Sequence, residues 1–317
     1  MKKISTILLV SILFYNCSNS TNNSSIIVTD VERRGLKGKV KSIDKKSYEV
    51  KKYEFGEPVF ELFNTVIDTY NSFGYKVDGM SKWESTFYNY LFKESIDYLI
   101  PDIGLISTRE YESTTDGKQY VYTQTFKYDS ITNKLVKRTT KNINKFTSTS
   151  TTIDYGLNQT RITRYDNILN ELQGVTIEKI DKNERLLSSI DYDADGVEID
   201  ERHIIRIKNG LTKDSIINRF DDGEIYYVGV STFDNKDREI KYIKYDDEIE
   251  GFITDYDNND VNSSYTKKEF KGLGEIIFKK LRVEKTLDKT GNVVEEKIIN
   301  LDNNKLEEKT ITILTYF

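Results

Sequence analysis

Across 317 residues the chain is 37% apolar and 31% charged, and alanine, the best helix former, occurs once, at Ala194; this excludes long helices, and the Tyr, Ile, Val and Thr content with Asn, Asp and Gly between runs predicts an all-β fold. A formal net charge of −5, with lysine and glutamate interspersed along nearly every strand candidate, excludes nucleic acid as a partner, because phosphate binding needs clustered Lys and Arg. A single cysteine excludes an internal disulfide and a cysteine-rich metal site.

The chain opens with "MKKISTILLVSILFYNC": Lys2 and Lys3, an apolar run from Ile7 to Tyr15, then Cys17. The run is shorter than the ~20 residues of a transmembrane helix and has the three-part pattern of an export signal. A Cys directly after the run, followed by "SNSTNNSS", resembles the bacterial lipoprotein signal, although Asn16 stands where that family prefers a small residue. The resemblance implies a signal peptide over residues 1–16, removed so that Cys17 carries the lipid (palmitate). Residues 17–31 then form the acylated Cys and a flexible Ser/Asn tether holding the folded part off the bilayer. The partner would be the membrane, reached through lipidated Cys17. Ser18, rather than Asp, after the Cys implies the outer membrane over the inner one. An ordinary secretory signal, with Cys17 incidental, is the alternative.

Residues 32–112 read as an N-terminal β-hairpin and cap region. "LKGKVKSIDKKSYEV" predicts a strand, and "PVFELFNTVIDTYNSFGYKVDG" a long strand with an "NSFG" turn. In "KWESTFYNYLFKESIDYLI", Tyr88, Tyr90 and Phe92 alternate as in a strand, while Tyr88, Phe92, Ile96 and Leu99 fit a helix face. The aromatic content favours the strand.

Residues 113–317 repeat. A large apolar residue followed by Asp, then Gly or Asn, recurs at Tyr165-Asp166, Ile180-Asp181, Tyr192-Asp193, Phe220-Asp221, Phe233-Asp234, Tyr245-Asp246, Tyr256-Asp257, Leu287-Asp288 and Leu301-Asp302. The step is roughly 13 residues, a strand of about 8 to 9 plus a turn of about 4. In each unit the large residue ends a strand, Asp bonds its own backbone to start the turn, and Gly or Asn takes the positive φ. "YDADG" and "LDKTG" resemble the motif of YD-repeat and related short β-hairpin repeat proteins of bacteria, over about residues 120 to 317.

In "REIKYIKYD" one face holds Arg238, Ile240, Tyr242 and Lys244, the other Glu239, Lys241, Ile243 and Tyr245, so neither is cleanly apolar. The fold expected is an elongated antiparallel meander of hairpins, largely single-layer or gently curled, its Tyr and Ile ladders covered by Lys and Glu stems. A β-sandwich or partly closed barrel is the alternative. The chain ends in Phe317, as outer-membrane barrel strands often do, but Lys- and Glu-studded strands cannot supply the apolar outer band of a lipid-facing barrel.

Catalytic residue types are sparse. His203 is the only histidine, which removes most metal triads and Ser/His arrangements, and "ERHIIRI" places it on a strand surface. No phosphate-cradling loop or dinucleotide fingerprint is present. No catalytic residue and no cofactor are therefore assigned. Trp83, Tyr88 and Tyr90, with Phe87 and Phe92, could form a platform for sugar rings or simply pack. Asp191, Asp193 and Asp195, before Gly196, match the first half of a calcium loop. Its closing Glu is absent, since Arg202 stands at the twelfth position, and the repeat register predicts a hairpin turn there. The function expected is a non-enzymatic, lipid-anchored envelope protein acting as a scaffold or binding surface for a protein or glycan. The alternative is a carbohydrate-active protein using the Trp83 region.

Overall fold

The computed structural model describes residues 29–84, 89–115, 117–144, 147–182, 185–206, 211–219, 224–246, 248–260, 262–272 and 275–317. After one short helix, α1 (Asp30–Arg33), the described chain is all β. The first ten strands are β1 (Val40–Glu54), β2 (Glu57–Tyr70), β3 (Lys76–Glu84), β4 (Asn89–Ile100), β5 (Leu105–Thr115), β6 (Lys118–Tyr128), β7 (Leu135–Asn142), β8 (Thr147–Tyr155), β9 (Gln159–Asp166) and β10 (Glu171–Ile180). They continue with β11 (Leu186–Tyr192), β12 (Glu198–Arg206), β13 (Thr212–Arg219), β14 (Ile225–Phe233), β15 (Glu239–Tyr245), β16 (Ile249–Tyr256), β17 (Tyr265–Lys271), β18 (Ile276–Leu287), β19 (Val293–Asn300) and β20 (Lys305–Tyr316). The ambiguous aromatic stretch is strand on both sides of residues 85–88.

Each strand pairs antiparallel with its neighbours in sequence, and β1 also pairs with β20, with Ile43 opposite Leu314 and Ser47 opposite Thr310. The hairpin meander thus closes into a barrel of 20 strands, so of the arrangements open to this sequence the chain takes the barrel rather than the elongated sheet or the sandwich. Strands on both sides of residue 113 belong to this one sheet. An even strand number brings both chain ends to one rim. There the Phe317 amide donates to the Lys39 carbonyl at 3.0 Å, and the Val31 amide donates to the Gly74 carbonyl of the β2–β3 turn at 3.1 Å.

The turns use the chemistry read from the repeat. Asp193 Oδ1 accepts from the amides of Asp195 and Val197, Asp234 Oδ1 from Lys236 and Arg238, and Asp288 Oδ1 from Thr290 and Asn292. The residue three places after each Asp takes the positive φ: Gly196 at 84°, Asp237 at 57° and Gly291 at 87°. "DYDADGVEIDE" is accordingly the hairpin turn between β11 and β12.

The wall is a single layer. Every residue of β19 is half-buried, on both faces alike, and lysine stems lie over rings: Lys267 Nζ is 4.1 Å from the Phe252 ring centroid and Lys285 Nζ 5.2 Å from that of Tyr265. Both faces carry charge at mid-strand. One cross-strand row runs Lys241, Ile253, Lys268, Lys280, and on the opposite face another runs Phe252, Glu269, Lys279. Lysine at the midplane of a lipid-facing wall costs about 2–4 kcal/mol each, so neither face suits hydrocarbon. Among the described residues no helix is long and apolar enough to cross a membrane.

A small apolar core lies under α1, where Val31 packs with Val40, Ile43 and Tyr70, and Leu36 and Leu314 pack against them. The helix is only one turn long and is held by a capping box: the Glu32 amide donates to Thr29 Oγ1, and the Thr29 amide to Glu32 Oε2 at 2.8 Å.

Candidate binding face

Register places aromatic side chains from five successive strands on one face of the wall. Trp83 on β3 stands opposite Asn64 on β2 and Tyr90 on β4. One pleat further along, Phe92 lies between Ser81 and Ser113. In the next row Tyr111 on β5 lies between Glu94 and Tyr122. A register shift between β1 and β2 leaves Phe63 without a β1 partner, and its ring meets Trp83 edge-on at 5.1 Å. The rings then continue as a ladder: Tyr90 to Phe92 at 6.4 Å, Phe92 to Tyr111 at 5.8 Å, and Tyr111 to Tyr122 stacked at 4.7 Å. The Arg109 guanidinium sits 5.7 Å from the Tyr111 ring centroid. Trp83 is 41% exposed, whereas burial, with Tyr122 second, pushes the Tyr111 hydroxyl up to about 12.

The ladder stands beside a buried charge network that fixes its strands. Lys76 Nζ lies 2.6 Å from Asp68 Oδ1 and 2.5 Å from Glu94 Oε1, and Arg109 Nε donates to Glu94 Oε2 at 2.7 Å. Arg34, just after α1, pairs with the other oxygen of Asp68. Burial alone would raise the Glu94 pKa, but Arg109 and Lys76 outweigh it and hold the carboxyl below the usual range. Polar hydroxyls and charges therefore flank the stacked rings, an arrangement suited to a ligand with apolar faces and hydroxyl edges.

Of the residues singled out in the sequence, Trp83 and Tyr90 come together here, joined by Phe92. Cys17, Phe87 and Tyr88 lie outside the described residues. Tyr111 and Tyr122 were missed because they sit on later strands and reach the ladder only through register; their signal is Tyr120, Tyr122 and Phe126 alternating along β6.

The aspartates do not converge. Asp193 spends Oδ1 on the turn, and Asp191, on the β11 strand, meets Thr176 and Arg164. Opposite Asp191 stands Asp200, which Asn218 engages. Burial, and after the opposing Asn218 bond the charge of Asp191, raises the Asp200 pKa; burial and then Asp191 do the same to Glu178. His203 lies on the β12 surface with Nε2 2.5 Å from Glu201 Oε1, and Arg219 holds the other oxygen of Glu201 at 3.3 Å.

No protein-family model and no curated protein matches the chain. Among solved structures, a porin-like protein from Bacteroides uniformis is similar over 87% of this chain and 96% of its own, at 10% identity and a TM-score of 0.33. A porin-like protein from Bacteroides vulgatus is similar over 89% and 99%, at 9% identity and a TM-score of 0.23. The TcdB2-TccC3-Cdc42 structure aligns over 84% of this chain, which spans 19% of that one, at 9% identity and a TM-score of 0.20.

Proposed function

We propose that this protein is a non-enzymatic component of the bacterial envelope, held to the outer membrane by lipid on Cys17, whose barrel wall is a binding surface for a protein or glycan partner. One observation carries the reading. Lysines stand at mid-strand on both faces of the closed wall, so the barrel belongs in water and attachment to a membrane falls to the leader that ends at Cys17. Palmitate labelling of cells tests it. The wild-type chain is expected to take up label and sediment with membranes, and Cys17→Ala to do neither; equal labelling and sedimentation of the two chains overturns the anchor.

The aromatic ladder favours a second, sharper reading, in which the partner is a glycan and the chain is carbohydrate-active. Sugar rings stack on aromatic faces, and the exposed Trp83 at one end of the ladder, with Tyr90 and Phe92 next along it and Tyr111 and Tyr122 packed behind, has Asn64, Ser81 and Ser113 beside it. Incubation with retained glycans separates binding from turnover: unchanged glycan keeps the non-enzymatic reading, and released product replaces it.

A further inference from the structure

On the rim that carries both chain ends, successive turns along one arc each present an exposed apolar tip. Going round it from the ends, the tips are Phe317, Phe73 in the β2–β3 turn, Leu99 at the end of β4, Ile131 in the β6–β7 turn and Leu157 in the β8–β9 turn. Phe73, Leu99 and Phe317 are each more than half exposed, and Ile131 and Leu157 reach 89% and 94%. The arc ends there. Further round the same rim the described turn residues include Asp181, Lys182 and Arg185, Asp234 to Arg238, Asp257 to Asp260, and Asp288 to Asn292. The opposite rim also exposes apolar residues, Ile276, Phe278, Leu301 and Phe55 on three successive turns, but it lies away from both chain ends.

The tips are held outward by their turns. The Phe73 amide donates to Asn71 Oδ1 at 3.0 Å, the Ile131 amide to Asp129 Oδ1 at 3.1 Å, and Gly156 closes the Leu157 turn through its bond to the Gln159 carbonyl at 2.7 Å. Large apolar residues fixed in water over a contiguous patch mark a surface that something covers.

We infer that this arc rests on a lipid bilayer, with Phe73, Leu99, Ile131, Leu157 and Phe317 entering the headgroup boundary and the polar remainder of the rim facing water. The inference builds on the proposed anchor at Cys17, and two observations select lipid as the occupant. The arc begins where Thr29 leads back towards Cys17, and Thr29 packs against Gly74 in the same turn as Phe73. The chain from residue 17 to residue 29 reaches at most about 40 Å, which keeps this rim near any membrane that holds Cys17.

The test replaces the lipid so that it does not depend on acylation. The chain from residue 17, carrying Cys17→Ser and a polyhistidine leader, is held on phosphatidylcholine vesicles that contain a nickel-chelating lipid. Cys17 is the only thiol, so Ile131→Cys, Leu157→Cys or, on the opposite rim, Phe55→Cys each takes one fluorescent dye. Nitroxide on the lipid acyl chains is expected to quench the dye at 131 and 157 but not at 55, and Phe73→Ser with Leu99→Ser to weaken the quenching at 157. Absence of quenching at 157, equal quenching at 55, or a dimer that shields the dye at 157 without vesicles overturns the inference. Loss of palmitate labelling alone strikes the anchor and leaves this result standing.

Discussion

Asn292 holds Lys37 by both of its backbone groups, across 255 residues of chain: its Oδ1 accepts from the Lys37 amide at 2.6 Å and its Nδ2 donates to the Lys37 carbonyl at 2.8 Å. The same Nδ2 meets the Tyr316 hydroxyl at 2.9 Å, so one side chain at the β18–β19 turn secures the entry to β1 and the end of β20. Asn292 is 1% exposed. Asn292→Ala leaves the Lys37 groups unpaired and is expected to cost about 2–3 kcal/mol. Asn300→Ala, which loses a bond to Glu307 and one to the exposed Asp302 amide, leaves no buried backbone group unpaired and is expected to cost about 1 kcal/mol. Urea midpoints of the two variants measure the contrast, and equal midpoints refute the clamp.

Acid is expected to loosen the wall beside α1. The Glu94 pKa is held below its ordinary 4.5 by Arg109 and Lys76, against the opposing effect of burial. A carboxylate depressed in the folded state contributes stability that is complete above its unfolded pKa and is lost as pH falls through its folded value. Glu94→Gln leaves Lys76 and Arg109 facing a neutral amide and is expected to cost about 3 kcal/mol at pH 7. The gap from wild type should begin to close as pH drops below the ordinary 4.5 and close fully only as pH falls through the lower folded-state value of Glu94. Thermal melts between neutral and acid pH read this directly, and a gap independent of pH refutes it.

The hairpins were legible in the sequence because their determinants are local: Asp193, Asp234 and Asp288 each bond amides within four residues, and the strand between two such turns has little choice of partner. Closure was not legible. Ser42 meets Thr315 across 273 residues, and nothing in the alternation of either strand marks it as a seam rather than an edge. The mixed faces of β15 pointed correctly to a single-layer wall, but a single layer is compatible with an open sheet and with a ring. Half of the ladder was visible as a cluster around Trp83, where the aromatics are adjacent in sequence. Tyr111 and Tyr122 became part of it only when register joined β4, β5 and β6.

Calcium is expected to leave the β11–β12 turn unchanged. Asp193 Oδ1 already satisfies two backbone amides, so Asp193→Ala should cost about 1 kcal/mol with or without the ion. Gly196 has open space around the position of an added Cβ, so Gly196→Ala meets only the left-handed backbone penalty, roughly 1–2 kcal/mol. Calorimetry with millimolar calcium is the check. A saturable heat that disappears in Asp193→Ala would turn the turn into an ion site.

The ladder makes opposite demands on its two ends if it serves a glycan. Tyr111 is wedged among Phe92, Tyr122 and Arg109, so Tyr111→Ala should destabilise the barrel, by about 2–3 kcal/mol for a half-buried ring. Trp83 is 41% exposed and touches Phe63 along one edge, so Trp83→Ala gives up that ring contact and part of its apolar burial, about 1–2 kcal/mol. Binding should rank them the other way, because an exposed indole offers a free face for stacking and a wedged phenol does not. On a glycan array Trp83→Ala is therefore expected to lose retention while its melting temperature stays near wild type, and Trp83→Tyr, which keeps a ring at that site, to recover part of it. Retention that follows stability across the variants would make the ladder wall packing alone.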